Sequence, residues 1–295
     1  MQHFTIYSPV EEIYDELFAR KSIRLFIKRD DCIHPFISGN KWRKLKHLLQ
    51  KAENQQKNHL VTFGGAWSNH LLATACAGAT FKFKTTAFVR GETVTNPVLD
   101  LCRLFGMELR FTSRESYRDK PSLFQTYFAD NTSAFFIDEG GASAEAVQGC
   151  AEIIDELQQP FSHLFCAAGT GTTAAGLSNG LTARQANTQL HIVPVLKGAG
   201  FLKSAMNSYI NRPDNFLFHE NYHFGGYAKT TPELMDFIRR FTSQTGILID
   251  PIYTGKMLYA IYDLAQKDYF KPGETILALH TGGIFGLLGK LDKAV

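Results

Sequence analysis

Apolar positions along the chain follow two rhythms. Short runs rich in β-branched and aromatic residues read as buried strands: RLFIKRD (24–30), HLVTFGG (59–65), TTAFVRG (85–91), MELRFTS (107–113), AFFIDEGG (134–141), HLFCAAG (163–169), LHIVPVLKG (190–198), ILIDPIY (247–253) and TILALHTGG (275–283). Most of them close on Gly, Asp or Ser. Between most of them lie segments with helical spacing, such as NKWRKLKHLLQKAE (40–53), AEAVQGCAEIIDELQ (144–158) and PELMDFIRRFTSQTG (232–246). This alternation predicts an α/β fold of parallel sheets covered by helices. In such folds ligands gather where strands hand over to helices at their carboxyl ends.

Four handovers carry unusual residues. CAAGTGTTAAGL (166–177) reads as a strand, a glycine-threonine loop and an Ala-rich helix. Gly169 and Gly171 permit close backbone approach, Thr170, Thr172 and Thr173 offer hydroxyls, and the helix start supplies free N–H groups. That combination suits a phosphate, though a plain turn would use the same glycines. No Gly-Lys-Ser/Thr follows, so it is not a Walker loop. A dinucleotide fingerprint fits poorly, because the third glycine is displaced to Gly176 and the next strand run ends near Lys197, not an acid. In FGGAWSNHLLATACAGA (63–79), Ser68 or Asn69 can cap a helix, and the same helix start could seat a carboxylate. His70, alone, is more often structural than catalytic. The other two handovers, ILIDPIYTGKM with Tyr253 and Thr254 and ILALHTGGIFG with Thr281, are weak signals individually.

Length and composition narrow the class. A chain of 295 residues exceeds a typical single domain of roughly 100–200, which predicts one large α/β unit or two lobes. With 44% hydrophobic and 20% charged residues it reads as globular with a sizeable core. A net charge of +3 without a long basic run argues against nucleic acid. No apolar stretch approaches the ~20 residues that span a bilayer, and the start lacks a basic-then-apolar signal segment. Cys32, Cys76, Cys102, Cys150 and Cys166 are scattered without a CxxC pair, as expected of reduced core residues in a cytoplasmic protein.

SGNKWRK (38–44) then changes the picture. It places Lys41 where a turn becomes a helix, and there the positive end of the macrodipole disfavours an ammonium. A neutral amine is what Schiff-base chemistry needs. Lys44, one turn on, can reach a phosphate. A lysine, a phosphate cradle and small polar groups at strand ends together describe a pyridoxal phosphate site.

On these residues the chain resembles the fold-type II pyridoxal phosphate enzymes, in the branch of D-cysteine desulfhydrase and 1-aminocyclopropane-1-carboxylate deaminase. SGNKWRKL is similar to that branch's Gly-Asn-Lys-x-Arg-Lys-Leu signature, WSNH to its Ser-Asn-His/Gln motif, and GGYAK and DPIYTGK to its two tyrosine segments. The resemblance implies a tryptophan synthase β-like fold of two lobes, residues 1–43 with 148–295 forming the larger and 44–147 an inserted smaller one, with the cofactor between them and a homodimeric assembly. It implies that Lys41 forms the Schiff base, that Lys44 and the 169–173 loop hold the phosphate, and that Asn69 meets the phenolic oxygen. Ser68, with Asn69 and His70, would meet the substrate and assist proton transfer, and Tyr227 and Tyr253 would face it.

Two positions separate the branch's reactions. Deaminases carry Glu after the second tyrosine, pairing with the ring nitrogen; here that residue is Thr254, and Thr281 stands where desulfhydrases place a hydroxyl. Opening a cyclopropane demands a stronger electron sink than expelling a thiol, so the resemblance implies a β-eliminating lyase that converts D-cysteine to pyruvate, ammonia and sulfide. Trp67, where Gln is familiar, and a shorter chain are the departures, and they bear on the substrate. A deaminase, or a lyase or racemase for another small amino acid, is the alternative within the family; a nicotinamide oxidoreductase rests on the glycine loop alone.

Overall fold

The computed structural model describes residues 5–37, 39–198, 200–210 and 215–290; Ser38 of the Ser-Gly-Asn turn lies outside them. The chain runs β1 (Val10–Ile13), α1 (Glu16–Arg20), β2 (Arg24–Lys28), α2 (Asn40–Asn54), β3 (His59–Gly64), α3 (Asn69–Phe81), β4 (Lys84–Arg90), α4 (Pro97–Leu104) and β5 (Glu108–Thr112). It continues with α5 (Lys120–Phe128), β6 (Ala134–Ile137), α6 (Ala144–Asp155), β7 (His163–Ala168), α7 (Thr172–Ala183), β8 (Gln189–Pro194), α8 (Gly200–Asn207), β9 (Phe216–Phe218), α9 (Pro232–Thr245), α10 (Thr254–Gln266) and β10 (Thr275–Leu279).

The strands form two sheets, one ordered β1-β2-β10-β7-β8-β9 and the other β5-β4-β3-β6. All described pairings are parallel except β1 on β2. Every residue of β3 is buried, as a strand covered on both faces requires. The smaller sheet takes its strands from residues 59–137. The lobe boundaries expected at 43/44 and 147/148 fall inside α2 and α6, and those two helices pack on each other.

Their contact has a specific cause. A Cβ on Gly149 would lie 1.9 Å from the Arg43 carbonyl oxygen, so only glycine allows the approach. Arg43 is itself buried and forks onto Asp30, with Nε to Oδ2 at 3.1 Å and Nη2 to Oδ1 at 2.8 Å. Its other nitrogens reach Glu156, which also takes Lys28 at 2.7 Å. The arginine of the SGNKWRK motif thus fixes the helix that carries the lysine.

Three elements differ from the sequence expectation. ILIDPIY is not a strand: Asp250 turns its carboxylate onto the backbone N–H groups of Ile252, Tyr253 and Thr254 at 2.8–2.9 Å, closing a turn that launches α10. Ile247 and Ile249 still bury in the core of the larger sheet, so their apolar spacing reflects burial without strand pairing. The short β1 and β9 were not expected. The antiparallel β1 edge carries Glu11 and Glu12, which pair with Arg29 and Arg24 of the β2 region.

A second cluster of titratable groups runs across the larger sheet. His219 Nε2 lies 2.8 Å from His191 Nδ1, His191 Nε2 2.9 Å from His163 Nδ1, and His163 Nε2 2.9 Å from Glu274. His191 also stacks flat on Phe165, centroids 4.2 Å apart. Among the described residues no three His, Cys, Asp or Glu are arranged to hold a metal, and no helix is long and apolar enough to cross a membrane.

Candidate active site

Lys41 is the second residue of α2, behind a turn that glycine makes possible. Gly39 has φ +61, and a Cβ there would meet the Thr281 carbonyl oxygen at 1.7 Å. Asn40 N–H donates to that same carbonyl at 3.2 Å, and Asn40 Nδ2 donates to Thr173 Oγ1 at 3.1 Å. The lysine turn is therefore tied on one side to the end of β10 and on the other to the glycine-threonine loop. Burial, reinforced by the nearby Lys44 ammonium, brings the Lys41 amine down to about 7. Lys44 is buried on the same helix face, donates to the Gly140 carbonyl at 3.2 Å, and is also lowered by burial.

Both lysines line a cavity of about 250 Å³. Gly169, Thr170, Gly171 and Thr173 form one wall, at the carboxyl end of β7 and the start of α7. Gly171 caps α7 with φ +79, leaving that helix's first N–H groups without a side-chain cap. Thr172 is buried behind this wall and shares its hydroxyl with Thr170 at 3.2 Å. A larger groove of about 710 Å³ between α1 and α9 has neither a lysine nor a glycine loop.

The opposite wall comes from the β3–α3 handover. Ser68 caps α3, accepting from Leu71 N–H at 3.4 Å, while Asn69 donates through Nδ2 to the Gly283 carbonyl at 2.9 Å. His70 Nε2 lies 2.8 Å from Thr62 Oγ1, whose proton goes to Ile137 O at 3.0 Å. The ring must therefore donate from Nε2, which leaves Nδ1 as an acceptor. Burial, then Lys41 and Lys44, holds His70 well below its ordinary value, so the ring is neutral. Asn69 Oδ1 and His70 Nδ1 are both buried with no hydrogen-bond partner among the described residues. Buried polar atoms are seldom left so. Two such atoms on adjacent residues of one cavity wall mark a place for a ligand.

Tyr253, at the start of α10, packs its ring against Gly169, and its hydroxyl lies 3.4 Å from that of Tyr227. Burial, then Tyr227, pushes the Tyr253 phenol well above its usual value, so it keeps its proton. Tyr227 is half exposed at the cavity mouth.

Besides Thr172, the expected Thr281 sits off the lining, as does Thr254, which the sequence singled out without placing it in the site. Thr281 is buried beneath the lysine turn and meets it through its carbonyl. Thr254 is fully buried with its hydroxyl spent on Asp250 at 2.7 Å, so that position serves the helix turn. Arg90, Glu139 and Trp67 also line the cavity. The first two close the β4 and β6 runs, and the strand-exit rule, applied to every run, would have found them. Trp67 packs on Gly289 of the 284–290 turn, its ring about 3.0 Å from where a Cβ would stand.

Comparison with known proteins gives the family of the chain. The model of the family described as "Pyridoxal-phosphate dependent enzyme" matches residues 9–282. A protein of Pyrococcus horikoshii named "Putative 1-aminocyclopropane-1-carboxylate deaminase" is 31% identical, covering 91% of this chain and 87% of its own. The mitochondrial "Bifunctional D-cysteine desulfhydrase/1-aminocyclopropane-1-carboxylate deaminase" of Arabidopsis thaliana is 29% identical over 91% of this chain and 74% of its own. A crystal structure of an ACC deaminase homologue superposes with a TM-score of 0.86 at 29% identity, covering 97% of this chain and 92% of the other.

Proposed function

Because the chain belongs to the pyridoxal-phosphate dependent enzyme family, we propose that it is a β-eliminating lyase of a small amino acid, acting on D-cysteine to give pyruvate, ammonia and sulfide. The observation that carries the reading is Lys41: an amine lowered to about 7, at a helix start, in a cavity shared with Lys44 and an anion-ready loop. The residues fit the cofactor. A neutral amine suits covalent attachment, the α7 start and Lys44 suit its phosphate, and the orphaned Asn69 Oδ1 and His70 Nδ1 leave hydrogen-bonding capacity for a polar ring and its substrate.

Bound there, pyridoxal phosphate supplies an electron sink that acidifies the α-hydrogen of an attached amino acid and lets a β-substituent depart. The protein's own groups do the rest. Lys41 Nζ anchors the cofactor and, with its lowered pKa, can take a proton and return it near neutral pH. Tyr253 retains its proton and serves as a donor, with Tyr227 beside it at the mouth. Ser68 remains a hydroxyl donor toward a carboxylate after satisfying the α3 cap. Asn69 Nδ2 keeps one hydrogen beyond the one given to Gly283, for the phenolic oxygen.

Thr281 supports a thiol leaving group. The resemblance would make its hydroxyl the partner of the ring nitrogen, where it would hold a proton less firmly than a carboxylate; Thr281 itself is buried behind the lining and meets the lysine turn through its carbonyl. With Thr254 turned to Asp250, neither position supplies the acid that cyclopropane opening favours. The cyclopropane deaminase reading has support in the name of the Pyrococcus horikoshii relative at 31% identity, while the relative at 29% is named for both activities. The two are separated by kcat/KM for D-cysteine against 1-aminocyclopropane-1-carboxylate on one preparation; a clear preference for the cyclopropane sinks the desulfhydrase reading. The same proposal includes the two lobes, 1–43 with 148–295 and 44–147, and a homodimer, which sedimentation velocity tests directly.

A further inference from the structure

The lysine of α10 is a buried cation that the site described above does not use. Lys256 is fully buried, three residues past Tyr253 on the same helix. Its Nζ donates to the carbonyls of His223 and Gly226, both at 2.8 Å, and points to that of Val195 at 3.4 Å. An ammonium has three donors, and here each has a backbone acceptor. Burial lowers its pKa to about 8 against the pull of Asp250, which leaves it charged at neutral pH. Val195 lies just past the carboxyl end of β8, and His223 and Gly226 belong to the loop that carries Tyr227.

That loop closes turns of its own, with Gly226 N–H on the His223 carbonyl at 3.0 Å, Lys229 N–H on that of Gly226 at 3.2 Å and Gly225 N–H on His223 Nδ1 at 2.9 Å, but its backbone is unusual. Phe224 and Ala228 have φ of 50 and 55, and Gly225 and Gly226 have φ of 88 and 117. Left-handed backbone at residues with a Cβ costs free energy and persists where surrounding structure enforces it. The contacts that reach it from α10 are the Lys256 ammonium on two of its carbonyls and the packing of Phe224 edge-on against Tyr259 at 4.9 Å. Tyr227 itself is half exposed, and its side chain meets Tyr253, hydroxyl to hydroxyl at 3.4 Å and ring edge-on at 6.2 Å. Burying an ammonium is costly unless its hydrogen bonds return the loss, and an apolar side chain would fill the α10 core at lower cost. What the charge adds is a grip on one segment of backbone.

We propose that Lys256 is a positioning residue: it clamps residues 223–226 to the end of β8 and so presents the Tyr227 hydroxyl beside Tyr253 over the cavity. The inference rests on the reading of Tyr227 as a substrate-facing group. It assigns to a buried lysine, remote from the reacting atoms, control over how well substrate is held.

The test has two arms on the full-length, cofactor-loaded enzyme. Lys256→Met keeps the length and removes the charge. Hydrogen exchange read by mass spectrometry is expected to accelerate about tenfold in a peptide spanning 222–229, with β7 and β8 peptides unchanged. In kinetics, KM for D-cysteine is expected to rise about tenfold with kcat changed far less, and the Lys256→Met/Tyr227→Phe double variant should be no worse than Tyr227→Phe alone. Unchanged exchange in 222–229, or penalties that multiply in the double variant, overturns the proposal. Should Lys256→Met lose cofactor or unfold, Lys256→Gln, uncharged and one atom too short to reach the same carbonyls, carries both arms; a loop that exchanges as slowly as in the wild type, or a penalty that multiplies with that of Tyr227→Phe, refutes it equally. The exchange arm needs no substrate. A wild-type enzyme inert toward D-cysteine would refute the desulfhydrase reading while the exchange arm still decides on the clamp.

Discussion

The molecule holds two clusters of buried titratable side chains, and they are built from similar material. In the chain His219–His191–His163–Glu274, the carboxylate accepts from His163, and each ring then accepts from the next, so that every link is made at 2.8–2.9 Å. In the cavity around Lys41, the buried Asn69 Oδ1 and His70 Nδ1 have no partner among the described residues, and two lysines share one wall. In each cluster burial shifts a central member: His191 falls to about 2, with His219 and His163 adding to the effect, and Lys41 falls to about 7. A perturbed titration therefore does not separate scaffold from site. Completeness of hydrogen bonding does, because a closed network has nothing left to offer a ligand and an open one carries a cost until something binds.

This contrast can be broken at several points. The largest expected effect is at the lysine: Lys41→Ala should lower kcat/KM by about 10³-fold or more and abolish borohydride trapping of the cofactor, with no fall in melting temperature. Retained trapping would remove Lys41 from its role. The closed cluster should behave in the opposite sense. His191→Phe leaves His219 and His163 each short of a partner and should destabilise the fold by about 1–3 kcal/mol while kcat/KM stays the same. Its pH dependence has a definite sign. A folded-state pKa below the unfolded 6.5 means the unfolded chain binds more protons below 6.5, so wild-type stability falls on acidification through that range, and the variant should lose less. Chemical denaturation at pH 7 and pH 5 measures both.

Smaller effects sharpen the open side. Asn69→Ala removes an orphaned acceptor along with a donor, so it should shift the bound cofactor's absorption and lower kcat/KM about tenfold, at a stability cost of only about 1 kcal/mol. Equal losses of stability and activity would make Asn69 scaffold. The mildest test is of charge. The rate at which apo-protein captures pyridoxal phosphate covalently should rise with pH and level off just above 7, where Lys41 has become neutral. A rate still climbing at pH 9 would mean a lysine of ordinary, solvated character.

What the sequence revealed and withheld follows the same physics. Features that depend on neighbours in the chain were legible: the helix start at Lys41, the Ser68 cap and the Gly171 turn are fixed within a few residues of themselves. The parallel sheets followed from strand-helix alternation. Where a partner is remote, the sequence was ambiguous. Ile247 and Ile249 have the spacing of a strand, but the Asp250 carboxylate takes the backbone N–H groups that continue into α10. Thr254 reads as a cavity residue by position, and a single bond to Asp250 withdraws its hydroxyl. Lys256 looks like any lysine in the sequence, and only the arrival of a loop from 30 residues upstream gives its charge something to hold.

The placement of β10 between β2 and β7 governs when the enzyme can exist as such during its synthesis. The four strands of the smaller sheet leave the ribosome within one uninterrupted stretch, 59–137, and can pair early. The β1–β2 edge must wait for β10, which begins only at Thr275. Until residues 275–281 arrive, β2 lacks its inner neighbour, and the Gly39–Asn40 turn lacks the Thr281 carbonyl it rests on. Throughout that interval Lys41 is a solvated, protonated side chain with no more appetite for an aldehyde than any surface lysine. Loading with vitamin is thus a late event by topology, and a ribosome stalled before β10 should display a nascent chain with a formed small sheet and an inert lysine.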